Sequence, residues 1–581
     1  MTSLYAELDA RLATAFAAVA GRRADSADST TPALRPSRRA DFQADGALAA
    51  ARLLRTNPRE FAEAVVGAAR LDYLCSRVEV AGPGFINLTV RDDALGRLAD
   101  AMAVDPRLGV ALAASPDTVV VDYSGPNAAK EMHVGHLRST IIGDSVVRLL
   151  EFRGHSVLRK NHLGEWGTPF GMLVEHLLDV GVDEAAHELS VGDAGGFYQA
   201  AQAKFNADET FRDRARRRVV LLQSGDEATL RLWETLVRES KRYLLAVYEL
   251  LDVRLTAADF AGESSYNDLL GPVVDELDRL GLLRESEGAQ CVFPEGFTGR
   301  GGEPLPLIVR KSDGGFGYDA TDLAAIRQRL VDLKADRLLY VVGLPQQTHL
   351  AMIFRTARDA GWARPETRIE QVGFGSILGA DGRMLRSRAG VAIKLLDLLA
   401  EAVARARAEV GKRNPGLDLE TAAAVARSVG IGAVKYADLS TDRTKDYVFD
   451  YDRMLAFEGD TAPYLQYAHA RIHSMFAKAG ITSATAAGAA IDVREPAEHD
   501  LALALLGFPP LIEELEQSLE FHRLTGYLFT LAAQFSVFYE KCPVLRAEPA
   551  VRASRLALCA LTARVLAQGL DLLGIDAPSV M

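Results

Sequence analysis

His133 and His136 stand three residues apart with Gly135 between them and Lys130 just upstream, a set of residue types suited to holding phosphate. Before them, TVVVDYS is a β-branched strand pattern running into a Gly/Pro/Asn loop; after them, Leu137, Ile141, Val146 and Leu149 fall on one helical face. A helix that starts at this point directs its unpaired backbone N–H groups and positive dipole end out of the loop, which makes an anion site. Both imidazoles can donate to phosphate oxygens, Gly135 lets a nucleotide come close, and Lys130 adds a mobile point charge. An ATP triphosphate held there would be bent so that a carboxylate could attack the α-phosphate in line, with no covalent nucleophile on the protein. The chemistry expected is nucleotidyl transfer to a small carboxylic acid. A bare HxxH pair would read as two hydrogen-bonded histidines or half of a zinc site. Here no Glu follows His133 as a zinc hydrolase needs, and the upstream strand and loop favour phosphate.

The elements that must position this turn are those of an α/β domain. Strand, loop and helix from Thr118 open a βαβ unit, and LLYVVG near Leu338, the helical QQTHLAMIFRTARDAG and the strand-like IEQVGFGSIL form a second. Two halves of one doubly wound parallel sheet are expected over 113–393, with an insertion of long charged helices at about 180–310. Residues 1–112 read as a small α+β domain: an amphipathic first helix, a loop over 21–45, helical spacing from about Ala47 to Ala69, and two strands flanking Gly82-Pro83-Gly84. Beyond Lys394 strand signals vanish, so 394–455 is expected to be a connecting helical region and 456–581 an all-α domain, with 481–490 a low-complexity connector.

With 581 residues, 49% hydrophobic and 25% charged, the chain is that of an ordinary globular protein of several domains. A net charge of -12 argues against salt-driven attachment to any polyanion, though not against one specific RNA met by local basic patches. Arg214, Arg216, Arg217 and Arg218 make such a patch, more simply read as a solvated helix face. Cys75, Cys291, Cys542 and Cys559 form no CxxC pair, so free thiols in a reducing compartment are expected and a zinc knuckle is not. No apolar run approaches the ~20 residues that span a bilayer, and the charged first helix does not suit a signal peptide. A cytoplasmic protein, apart from membranes and without a resident metal, is expected.

SGPNAAKEMHVGHLRSTIIGD resembles the HIGH signature of class I aminoacyl-tRNA synthetases, in the form found in the arginyl enzymes. KYADLSTDRTKDYVFDYDRML with GDTAPYLQYAHARI, the tail RLALCALTARVLAQGLDLLGIDAP, and NPREFAEAVV with VEVAGPGFINLTV are similar to further parts of that family, in order along nearly the whole chain. The resemblance implies a class I Rossmann-type catalytic domain, an N-terminal appended tRNA-binding domain and a helical anticodon-binding domain. It implies activation of L-arginine by ATP with Mg2+, typically with tRNA bound, and transfer to the terminal adenosine of tRNA(Arg), by an enzyme expected to be a monomer. A guanidinium needs carboxylates and planar acceptors. By the resemblance these are Asp122 and Asp322, with Tyr318 and Gln346 beside them and Asn127 at the amino acid's polar backbone end. Tyr318 and Asp322, four apart, share a face if helical. Without the resemblance Asp322 reads as a surface or helix-start charge and Tyr318 as a core aromatic.

Three departures from the family pattern bear on function. The second class I signature, normally a lysine loop, reads DGRMLRSR from Asp381, so Lys130 ahead of the histidines is assigned the pyrophosphate, with Arg383 and Arg386 as weaker ATP contacts. Asp122 stands where many relatives carry Glu, and LGEWGTPFG places Glu165 and Pro169 where Asp and Gln are commoner. For tRNA, the resemblance places Phe85 and Asn87 at the D-loop and Tyr539 and Met581 near the anticodon, against plainer readings as core aromatics and a frayed end. The lysine-free loop also keeps open a paralogue that binds tRNA without charging it. A ligase serving a non-tRNA acceptor is a third reading.

Overall fold

The computed structural model describes residues 3–21, 31–128, 130–181, 194–312, 314–385 and 393–581. The chain falls into two compact units: Met1–Leu112 with Phe457–Asp571 and Asp576–Met581, and Ala113–Ala456 with Leu572–Ile575. Below, helices of eight or more residues and all strands are numbered along the chain.

The first unit begins with α1 (Leu4–Ala20), whose first turn is capped by the Ser3 hydroxyl. A four-stranded antiparallel sheet follows in the order β1 (Leu34–Pro36), β2 (Phe42–Ala44), β4 (Phe85–Val90), β3 (Cys75–Ala81). The expected loop over 21–45 therefore holds two strands. At three residues each they are too short to show alternation, and β2 is recruited by pairing with β4. The expected helical span at Ala47–Ala69 is two helices, α2 (Gly46–Leu54) and α3 (Pro58–Ala69). Arg55 in the left-handed region ends one, and Asn57 capping with Pro58 at the first position starts the next. The segment closes with α4 (Asp92–Val104).

In the second unit β5 (Thr118–Asp122) leads to α5 (Val134–Phe152) and β6 (Ser156–Lys160). Then come α6 (Thr168–Val180), α7 (Ala194–Ala207), α8 (Glu209–Gln223), α9 (Glu227–Leu250) and α10 (Asn267–Arg279). The insertion is not purely helical: β7 (Leu283–Ser286), β8 (Ala289–Val292) and β9 (Leu307–Arg310) form a small antiparallel sheet. The second half comprises α11 (Tyr318–Arg327), β10 (Arg337–Tyr340), α12 (Gln347–Asp359) and β11 (Arg368–Gln371). The four long-sheet strands run parallel in the order β11-β10-β5-β6. Val119, Val120 and Val121 are all buried, as a strand covered on both faces requires. The chain leaves β5 towards one edge and β10 towards the other, which opens a crevice at their C-terminal ends.

The strand-like run after β11 is broken, and only β12 (Ile377–Leu378) re-forms. After α13 (Leu395–Arg413) and α14 (Leu419–Leu439), β13 (Tyr447–Val448) pairs in parallel with β12, a strand in the region where none was expected. The chain then returns to the first unit through α15 (Ala462–Ala479), α16 (Pro496–Leu505), α17 (Phe508–Ser518), α18 (Phe521–Lys541) and α19 (Pro549–Leu572). Within that unit the two chain ends are bonded: Ile491 N–H donates to Asp100 at 2.7 Å, Arg564 to the Asp105 carbonyl at 2.8 Å, and His499 bridges Asp41 and Asp92.

Candidate active site

The two histidines sit at the helix start, but the backbone there is not an open anion cradle. His133 is the N-cap of α5: its Nδ1 accepts from Gly135 N–H at 3.0 Å, while the His136 Nδ1 accepts from His133 N–H at 3.2 Å. Val134 N–H donates to the Ile393 carbonyl and His136 N–H to the His133 carbonyl. All four amides are thus satisfied within the chain, which corrects the expectation of free N–H groups. With both Nδ1 atoms accepting, each proton is assigned to Nε2, and those two Nε2–H groups with Lys130 are what the turn presents. The rings lie 4.1 Å apart between centroids. Burial, helped by Lys130, lowers the pKa of both, that of His136 to about 4, so at neutral pH they are neutral donors. Gly135 makes room for the His133 ring: a Cβ there would lie 2.7 Å from its Cε1.

Beneath the turn is a buried polar network that the sequence did not disclose. Ser124, at φ +72°, is held by its N–H donating to Ser139 Oγ at 2.9 Å and by its own Oγ 2.8 Å from the Tyr248 hydroxyl of α9. Ser139 Oγ in turn donates to the Val341 carbonyl just past β10, at 2.6 Å, so one hydroxyl on α5 joins the ends of both central strands. Asn161 donates to Tyr248 and accepts from Gly125 N–H. Residues after the second signature clasp the first: Leu395 N–H donates to the Met132 carbonyl, and Lys394 meets Glu131 at 2.8 Å. From the insertion, the Tyr198 ring lies 4.4 Å from the Lys130 ammonium. One turn along α5, Arg138 is buried against Asp438 of α14 at 3.3 Å and donates to the Lys445 carbonyl beside β13.

The second cluster lies where α11 and α12 meet the crevice. Tyr318 and Asp322 do share a face of α11, Tyr318 being 67% exposed, and the structure adds His349 of α12 to them. Its Nε2 is 2.7 Å from Asp322 Oδ2, its Nδ1 is 3.6 Å from Asp319 Oδ1, and its ring centroid is 5.3 Å from that of Tyr318. Gln346, exposed on a 3-10 turn, precedes His349 by three residues. Asp122 departs from expectation. It ends β5 opposite Tyr340, but its Oδ2 is bound by the chain's own Arg329 at 2.8 Å, a side chain only 1% exposed. Arg329 sits in the π-helical turn Gln328–Asp332 that extends α11 inward. Asp122 therefore already meets a guanidinium of the chain's own. Glu263, which no motif singled out, stands electrostatically beside Asp322; burial pushes its carboxyl above the usual range, and it accepts from Trp166 N–H at 3.0 Å. Exposed Asn127 has its Oδ1 2.2 Å from where a Gly164 Cβ would stand, so glycine there makes room for the amide.

Family models match the chain in order: the arginyl tRNA synthetase N terminal domain over residues 6–90, the catalytic domain of tRNA synthetases class I (R) over 98–451, and the DALR anticodon binding domain over 465–581. This chain belongs to the arginyl-tRNA synthetase family. It is 56% identical to an arginine–tRNA ligase of Thermobifida fusca over 95% of this chain and 96% of that one. Its fold is similar to arginyl-tRNA synthetase from Plasmodium falciparum, with a TM-score of 0.83 at 27% identity over 99% of both chains. Against the Thermus thermophilus arginyl-tRNA synthetase the TM-score is 0.80 at 26% identity, over 100% of both.

In this arginyl-tRNA synthetase the remaining expected residues are scattered. Arg383 is exposed on the loop after β12, its N–H donating to Asp381, and Arg386 lies outside the described residues. Arg214 and Arg218 are ion-paired with Asp179 and Glu175, tying α8 to α6. Glu165 is buried, its carbonyl accepting from Trp233 Nε1 at 2.7 Å. In the first unit Phe85 is half-buried on β4, and the Asn87 side-chain Oδ1 accepts from Gln43 Nε2 at 2.7 Å. The face of Tyr539 is covered by the Arg471 guanidinium at 4.0 Å. The tail leading to Met581 is anchored by Gln466 donating to the Asp576 carbonyl at 2.9 Å. Among the described residues no three His, Cys, Asp or Glu converge on a possible metal site, and no helix is long and apolar enough to cross a membrane.

Proposed function

We propose that the crevice at the C-terminal ends of β5 and β10 is where this arginine–tRNA ligase activates arginine with ATP, before charging the 3′-terminal adenosine of tRNA(Arg). ATP enters with Mg2+ as the substrate complex. Lys130 and the Nε2–H groups of His133 and His136 hold the triphosphate, with Gly135 setting the ring positions and Arg383 and Arg386 as further ATP contacts. An arginine carboxylate oxygen attacks the α-phosphorus, the bond to the β,γ-phosphates breaks, and pyrophosphate leaves on charges already in place. A ribose hydroxyl of the tRNA then attacks the adenylate carbonyl and AMP leaves. Asp322, with Glu263 beside it and Tyr318 and Gln346 at the rim, takes the guanidinium, and Asn127 takes the amino acid's polar end. Asp122 acts through Arg329 as part of the pocket wall. Phe85 and Asn87 contact the D-loop; Tyr539, backed by Arg471, and Met581 lie at the anticodon. The reading extends to a monomer in a reducing, cytoplasmic setting, which the four buried free cysteines favour.

The observation that carries this reading is that both histidines commit Nδ1 to backbone amides, leaving Nε2–H on each as the donor for phosphate. With ATP, Mg2+ and tRNA(Arg), the chain will charge arginine alone among the amino acids. Lys130→Ala and His136→Ala will each lower kcat by about 10²–10³-fold, as loss of a transition-state donor does. Normal charging by both variants would overturn the assignment.

A further inference from the structure

We propose that His349 is a proton-gated placeholder in the arginine pocket: as an imidazolium it occupies Asp322, and it releases a proton to solvent when the substrate guanidinium takes that carboxylate. This rests on the assignment of Asp322 to the guanidinium.

The geometry sets the charge state. His349 has a carboxylate at each ring nitrogen, Asp322 Oδ2 2.7 Å from Nε2 and Asp319 Oδ1 3.6 Å from Nδ1. A neutral imidazole that donates to Asp322 leaves Asp319 facing an uncharged nitrogen; the cation donates to Asp322 and sets positive charge 3.6 Å from Asp319 Oδ1. Asp319 Oδ1 is buried and has no hydrogen-bond partner, its other oxygen accepting from Ile308 N–H at 2.7 Å, so its charge is turned to the ring. The groups facing His349 from α11 are Asp319, Asp322 and the Tyr318 ring; beyond Asp322 stand Glu263 and the tyrosines Tyr266 and Tyr340, with the Asp122–Arg329 pair adjoining them. Burial opposes the charged ring, yet the hydrogen bond and charge of Asp322, with Asp319, outweigh it and lift the pKa above 6.5.

The pocket therefore holds two carboxylate–cation pairs of different kinds. Arg329 cannot lose its proton and is sealed against Asp122. His349 is 26% exposed and can. A substrate guanidinium that takes Asp322 removes the hydrogen bond and charge that hold the proton on His349 and sets a second cation beside the ring, and both changes favour the neutral imidazole. Arginine binding is thus coupled to loss of one proton, and affinity should rise with pH through the raised pKa of the ring.

The test is arginine affinity of the full chain with tRNA(Arg) between pH 5.5 and 8.5, by equilibrium dialysis. For the unaltered chain Kd should fall by close to about tenfold per pH unit on the acid side and level off above the imidazole pKa, as one-proton linkage requires. Calorimetry at pH 6, below the raised imidazole pKa, in buffers of different ionisation enthalpy should show net proton release on arginine binding; this readout needs no variant. His349→Asn and His349→Gln should each flatten the pH dependence. Asp322→Asn should weaken arginine by about tenfold or more throughout, as loss of a charged partner does. A flat profile and no proton release in the unaltered chain, or an unchanged slope in both His349 variants, overturns the placeholder. Arginine binding unaffected in Asp322→Asn would instead overturn the assignment beneath it.

Discussion

The Arg138–Asp438 pair beside the signature helix and the His349–Asp322 pair in the proposed arginine pocket are each a cation on one helix meeting a carboxylate on another, but their surroundings differ. The first is closed, with side chains 1% and 0% exposed, its cation unable to titrate and anchored further on the Lys445 carbonyl. The second is open, 26% and 30% exposed, and its cation is an imidazole. A closed pair between elements distant in sequence fixes the distance between them; here it sets α5, which carries His136, against α14 and the β12–β13 strands beneath the second signature loop. An open pair with a titratable member can be exchanged, and an exchangeable cation is what a site for arginine can give up.

The comparison breaks most visibly at the closed pair. Asp438→Asn leaves Arg138 buried and uncompensated, and should cost about 3–5 kcal/mol of stability in denaturant unfolding. Removing the same charge from the open pair, Asp322→Asn, should cost less than about 1 kcal/mol in that assay, because solvent and His349 deprotonation absorb the change. Equal losses in the two variants would erase the distinction. His499 sharpens it as an imidazole in a more closed setting. Its hydrogen bonds to the Asp41 and Asp92 carboxylates, against burial, raise its pKa to about 9. Because the folded value exceeds the unfolded one, its stabilisation is complete below about pH 6.5 and is lost as pH rises through about 9. Thermal stability should decline over that window, and His499→Gln should remove the decline at a cost of about 1 kcal/mol at pH 6. The smallest effect concerns Lys130: Tyr198→Ala removes one cation–π contact of about 0.5–1 kcal/mol and should raise the KM for ATP by about two- to fivefold.

What the sequence made legible follows from how local each signal is. The β5–turn–α5 unit is written within some thirty consecutive residues by a β-branched run, a Gly/Pro/Asn loop and helical spacing, and the structure has all three elements there. Tyr318 and Asp322 could be placed on one helix face because four residues is one turn. Nothing local marked His349, Glu263 or Arg329, since each matters only through a residue brought near by folding: Asp322 for the first two, Asp122 for the third. The same holds for Ser139, an ordinary serine in a helix until it is seen to join β5 to β10. β1, β2 and β13 are too short for periodicity and exist because a longer or better-placed partner recruits them. The backbone amides of the turn were misjudged for a related reason. A helix start predicts unpaired N–H groups, and the two histidines expected to bind phosphate first satisfy their own backbone.

On the proposed assignment, Asp322 reads the charge of the substrate's guanidinium. The most direct measurement is kcat/KM for arginine against citrulline, its neutral ureido counterpart, in tRNA(Arg)-dependent ATP–pyrophosphate exchange, for the unaltered chain and Asp322→Asn. The unaltered enzyme should prefer arginine strongly, and the variant should lose about 10²-fold or more of that preference while remaining folded, the scale set by an unpaired buried polar group. A preference undiminished in Asp322→Asn would rule out Asp322 as the guanidinium's partner.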